Sequence, residues 1–138
     1  MTSIIDIRNK LIDLIGQESP DLLGHVVSGK MDVVEVFPSA SVFLGDISTE
    51  PASFKGGVTR TSEIHIAIYR HHASLESEFA TEANTIEQAI YTARKSFGQL
   101  VKHISVTGIS MSFTPDSKST EGALHLTVST ETQKQLTT

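Results

Sequence analysis

Residues 62–69 read Ser62-Glu63-Ile64-His65-Ile66-Ala67-Ile68-Tyr69. Isoleucine takes every second position from 64 to 68, while Glu63, His65, Ala67 and Tyr69 fall between. Side chains alternate across a strand, so this stretch has one apolar face and one mixed face. It predicts a central strand whose isoleucine face needs an apolar partner.

Candidates for that partner flank the strand in sequence. Ile4, Ile7, Leu11, Leu14 and Ile15 recur at helical spacing, separated by Asp6, Arg8, Asn9, Lys10 and Asp13. This predicts an amphipathic helix over 3–16, with Ser3 as N-cap, Asp6 in the first turn, Gly16 as the stop and Pro20 beyond it. Asn84-Thr85-Ile86-Glu87 resembles a capping box. From there Ile86, Ala89, Ile90, Ala93, Phe97 and Leu100 trace one face of a second helix over about 84–100, with Arg94 and Lys95 suiting its C-terminal dipole. The polar stretch from Arg70 to Thr81 then reads as a connection.

The remaining apolar runs read as strands. Val26-Val27, Val33-Val34, Val36 and Val42-Phe43-Leu44 are rich in β-branched and aromatic residues. Ser28-Gly29-Lys30 reads as a turn, Pro38 marks a strand start or edge, and Gly45-Asp46 marks a strand end. Ile104 and Val106 share one parity, and Ile109, Met111 and Phe113 share the other. The change falls at Thr107-Gly108 and predicts a β-bulge. Pro115-Asp116-Ser117-Lys118 is a turn signal, and Leu124, Leu126 and Val128 alternate beyond it, so 104–128 predicts an antiparallel hairpin. Residues 46–60 lack periodicity and contain Pro51, Gly56 and Gly57, which predicts a long mobile loop. Residues 131–138 predict a flexible tail. The chain as a whole predicts one α+β domain over 1–138, two helices packed on one face of a mainly antiparallel sheet.

Composition excludes several functions. The 138 residues contain no cysteine, so internal disulfides and thiolate metal sites are impossible. Eleven Lys+Arg stand against sixteen Asp+Glu, a net charge of −5. No basic stripe exists to release counterions from nucleic acid. The apolar runs fall far short of the ~20 residues a membrane helix needs, and no signal peptide is visible. A soluble intracellular domain is expected.

Catalytic patterns are sparse. Six histidines are present: His25, His65, His71, His72, His103 and His125. His71-His72 makes a poor chelating pair, because neighbours on a strand point to opposite faces. His65 and His125 share the polar faces of two predicted strands and are expected to meet across the sheet if those strands pair. Neither HExxH, a G-x-S-x-G elbow nor a phosphate loop occurs. The carboxylates show no pairing that spacing alone marks for acid–base work. No catalytic residue, metal or cofactor is therefore expected.

The order of elements resembles the tail terminator (tail completion) proteins of long-tailed bacteriophages. The resemblance runs over about residues 3–130. It rests on the opening helix Ile4–Ile15, the element Phe37-Pro38-Ser39-Ala40-Ser41-Val42-Phe43-Leu44-Gly45, the strand 62–69, the second helix, and the closing hairpin with Phe113 and Leu124-His125-Leu126-Thr127-Val128. It implies a structural virion protein at the tail–neck junction, assembled in the host cytoplasm. Such proteins form a ring, usually a hexamer, that ends tube polymerisation and meets the tail tube protein and the head–neck connector. Genomic DNA passes through the lumen without specific binding. Asp46, Glu50, Phe54, Lys55, Arg60 and Arg70 are the expected subunit or tube interface. Three rivals stand beside this reading: another neck or tube-like virion subunit, a small α+β enzyme with His65, Tyr69 and His125 as first alanine targets, and a cellular partner-binding domain.

Overall fold

A computed structural model describes residues 4–29, 37–51, 56–72, 75–93, 103–115 and 120–135. Two α-helices, α1 (Ile4–Glu18) and α2 (Leu75–Ala93), accompany five strands. These are β1 (Val26–Ser28), β2 (Ser39–Pro51), β3 (Gly57–His72), β4 (His103–Pro115) and β5 (Thr120–Gln135). A short 3-10 turn, Pro20–Leu22, follows α1. The strands form one sheet in the order β1-β2-β3-β5-β4. β1 runs parallel to β2, and every other pairing is antiparallel.

The isoleucine strand is the centre, as its alternation predicts. β3 lies between β2 and β5, and Ile64, Ile66 and Ile68 are fully buried. Val42 and Ala40 of β2 and Leu124, Leu126 and Val128 of β5 extend the same apolar face. Ile7, Leu11, Leu14 and Ile15 of α1 and Phe79, Ala83, Ile86 and Ile90 of α2 cover it. The fold is therefore α+β, with both helices on one face of a mainly antiparallel sheet. Each buried Ile or Leu contributes about 1.5–3 kcal/mol relative to exposure, so this layer supplies most of the driving force.

The predicted bulge is present. The β4–β5 register slips between Val106 and Gly108. Its effect is to keep both parity sets on one face: Val106 stands opposite Val128, while Ile109 and Met111 stand opposite Leu126 and Leu124. The hairpin pairing of β4 and β5 also holds.

Several boundaries differ from expectation. α1 continues through Gly16 to Glu18. A Cβ at Gly16 would lie 3.0 Å from Leu23 Cδ1, so this glycine serves a close approach and not a stop. α2 starts at Leu75, nine residues before the expected cap, and Asn84 to Glu87 lie inside it. The largely polar segment 76–83 carries a helical pair of its own, Phe79 and Ala83, and the same face continues to Ile86 and Ile90. Arg70 to His72 belong to β3.

The expected loop 46–60 is mostly strand. β2 runs past Gly45-Asp46 to Pro51, and β3 begins at Gly57. Residues 58–61 of β3 pair with β2 on one side, and 57–61 pair with 131–135 of β5 on the other. Ladder hydrogen bonds on both edges order these residues without an apolar pattern. Pairing with 57–61 of β3 likewise makes 131–135 strand and not a free tail. Ser3, Lys30, Val33 to Val36, Phe54, Lys55, Arg94, Lys95, Phe97, Leu100 and the turn residues 116–118 lie outside the described residues.

Candidate functional site

The sheet face away from the helices carries the histidine pair. Phe43 on β2, His65 on β3 and Thr127 on β5 are ladder partners in one row. Ser41, Ala67, His125 and Ser110 form the adjacent row. His65 and His125 are thus diagonal neighbours, which lie ~7–8 Å apart at the backbone and within reach of long side chains. His65 Nδ1 and His125 Nε2 stand 2.9 Å apart, with one ring donating and the other accepting. Their ring centroids are 5.0 Å apart.

Three neighbours hold the pair. The Phe43 ring stacks on His65 with centroids 5.2 Å apart and an interplanar angle of 23°. Glu63 Oε2 stands 3.6 Å from His65 Nε2, on the ring edge away from His125. Gly45 leaves room for the ring, since a Cβ there would fall 2.4 Å from His65 Nε2. Burial, and secondarily the charge on His65, lowers the His125 pKa and favours its neutral form. Phe43, His65, Ala67, Tyr69 and His125, together with Ser110 to Ser112 and Ala123, line a cavity of about 350 Å³. Ala67 and Ala123 are too small to fill it.

A second polar cluster ties the helices to the sheet. Arg70 Nε and Nη2 donate to Glu82 Oε1 and Oε2 at 3.0 and 2.6 Å. The other edge of the guanidinium donates to both oxygens of Asp21. Ser19 Oγ donates to Glu82 Oε2 at 2.9 Å. The Arg70 and Glu82 side chains are only 15% and 10% exposed. Hydrogen bonding to Glu82 raises the Arg70 pKa further, and hydrogen bonding to Arg70 lowers that of Asp21. This clamp joins β3, α2 and the turn after α1.

The structure separates the expected interface residues. Asp46 and Glu50 are exposed on the outer half of β2, and Arg60 is half-buried on the outer half of β3. Among the described residues these three make no ion pair with one another. Phe54 and Lys55 lie outside the described residues. Arg70 stands apart from this group, with its guanidinium spent inside the subunit. Glu82 and Asp21, its partners, carry no sequence signal, because 12 and 49 residues separate them from Arg70.

Apolar surface collects on β4, an edge strand of the sheet. Ile109, Met111 and Phe113 remain 44%, 37% and 40% exposed although they share the helix-covered face. Phe79 of α2 packs against Phe113, at 6.0 Å between ring centroids. The sequence marked these three as strand residues, yet only the sheet order shows them at an edge. Among the described residues, no group of three or more His, Asp or Glu is placed to hold a metal ion, and no helix is long and apolar enough to cross a membrane.

No protein-family model matches the chain, and no curated protein does. Among solved structures it is similar to a chain described as the virion of a native gene transfer agent particle. The two are 12% identical, the match covers 85% of this chain and 91% of the other, and the TM-score is 0.38. Function is therefore argued from the chain itself.

Proposed function

We propose that the chain is a structural virion subunit of the tail-terminator type. It assembles as a ring, six-membered by the resemblance, on the end of the tail tube at the tail–neck junction. There it stops tube growth and presents a surface to the head–neck connector. One observation carries the assembly reading: β4 is a 13-residue edge strand that leaves Ile109, Met111 and Phe113 exposed in a row. A long edge with an apolar row is a template for another chain unless something covers it.

A ring needs two different patches on each subunit, so that each contact is heterologous and the series closes. The row on β4 is one. The three-stranded extension of 47–51, 57–61 and 131–135 is a second, since among the described residues none of it belongs to the core cluster and Ile47 is half exposed there. Glu50 and Arg60 lie within it and Asp46 borders it. Six copies carry a formal charge of about −30, which suits a lumen that passes DNA without holding it.

Native mass spectrometry with negative-stain imaging tests the reading, alone and with tail tubes. Closed rings of fixed size, free or on tube ends, are expected. Long tubes would assign the chain to the tube itself. A monomer that never engages tube ends would overturn the proposal.

A further inference from the structure

We propose that His65 and His125 form a binding site for a divalent transition-metal ion, copper(II) or nickel(II) in preference to zinc(II). The two imidazoles already meet, with His65 Nδ1 and His125 Nε2 joined by one hydrogen bond at 2.9 Å. Two imidazoles with water in the remaining positions suit the tetragonal nitrogen–oxygen geometry of copper(II) and nickel(II), whereas zinc(II) sites take three or four protein ligands. Copper(II) also stands highest in intrinsic affinity for nitrogen sites.

The surroundings complete the argument. The two nitrogens face each other across one shared hydrogen, so each ring must swing by roughly 45° to aim its lone pair at an ion bound cis to both. Both line the same 350 Å³ cavity, which leaves the other coordination positions to water. The shared hydrogen moves to the far nitrogen of whichever ring carries it. For His65 that nitrogen is Nε2, and the carboxylate of Glu63 at 3.6 Å favours the resulting tautomer. A carboxylate behind a ligating imidazole fixes the ring and raises its basicity. Phe43 against His65, and the space over Gly45, fix where the first ring sits.

Copper(II) titration of the full chain tests the site, read by calorimetry and by electron paramagnetic resonance. One ion per chain with two imidazole nitrogens in its equatorial plane is expected. His65→Gln and His125→Gln should each weaken binding at least tenfold, while His103→Gln, an exposed histidine on β4, leaves it unchanged. Glu63→Gln should weaken it about tenfold. The spectrum of the unsubstituted chain needs no variant, so a misfolded substitution leaves the test standing. A spectrum with one imidazole or none, or a His65→Gln or His125→Gln variant that binds copper(II) as tightly as the unsubstituted chain, overturns the proposal.

Discussion

The imidazole of His65 lies over the backbone of Gly45, where a single added methyl would come within 2.4 Å of its Nε2. Gly45 sits at the register slip of β2, between Leu44 and Ile47. The histidine pair on β3 and β5 thus depends on a missing side chain on β2. Gly45→Ala must displace the ring or bend the strand, because the atom it meets belongs to a stacked, hydrogen-bonded ring. A loss of about 1–3 kcal/mol is expected, the usual cost of overpacking. Urea unfolding measures the loss, and imidazole nitrogen shifts should show the His65–His125 hydrogen bond broken. Shifts identical to the unsubstituted chain would sink this account.

Arg70→Ala leaves Glu82 buried with Ser19 as its remaining partner. Breaking a buried pair from one side costs about 3–5 kcal/mol, and this clamp should fall at the low end because Asp21 faces water. Arg70→Lys should recover little of it, since an ammonium cannot donate from two edges at once. A double-mutant cycle with Glu82→Ala isolates the pair. A coupling near zero contradicts the clamp.

The clamp also gives stability a pH dependence. Asp21 has a lower pKa in the folded chain than the ordinary 3.8, chiefly through its hydrogen bonds to Arg70. The unfolded chain therefore binds the proton first as pH falls. The Asp21 contribution is complete above about pH 3.8 and disappears as pH drops through the lowered folded value. The Asp21→Asn variant should show a flatter stability profile in that window. Added salt should shrink the difference, because Asp21 is more than half exposed.

Two phenylalanines in contact should behave oppositely. Phe79 is fully buried among Ile86, Ile90 and the sheet, so Phe79→Ala should cost about 3–5 kcal/mol. Phe113 is 40% exposed on the edge strand. Phe113→Ser with Met111→Lys should leave the fold standing and abolish ring assembly. Circular dichroism reads the first property and native mass the second. Rings that persist in the double variant would place the subunit contact elsewhere.

The parts legible in the sequence were those set by short-range periodicity. Ile64-Ile66-Ile68 announced a central strand, and 4–15 announced a helix. The parity change at Thr107-Gly108 announced a bulge, because an odd residue must leave the ladder when apolar positions on both sides face one core. The common polarity of His65 and His125 pointed to their meeting, once β3 and β5 were neighbours.

Other features depended on long-range pairing. The 46–60 stretch has no apolar rhythm, yet 46–51 is strand through its pairing with β3, and 57–60 is strand between β2 and β5. The early start of α2 was visible in the four-three-four spacing of Phe79, Ala83, Ile86 and Ile90. It was masked by a capping-box pattern at Asn84 that the tertiary fold does not use. Arg70 looked like surface charge until β3 brought it between Glu82 and Asp21. Alternation and helical spacing along the chain set which faces are apolar, and therefore the α+β class. Packing and strand order set which strands are edges, which charges are paired, and that two histidines 60 residues apart stand 2.9 Å from each other. Faces follow from alternation along one chain segment, whereas edges and pairs follow from strand order, which no local pattern encodes.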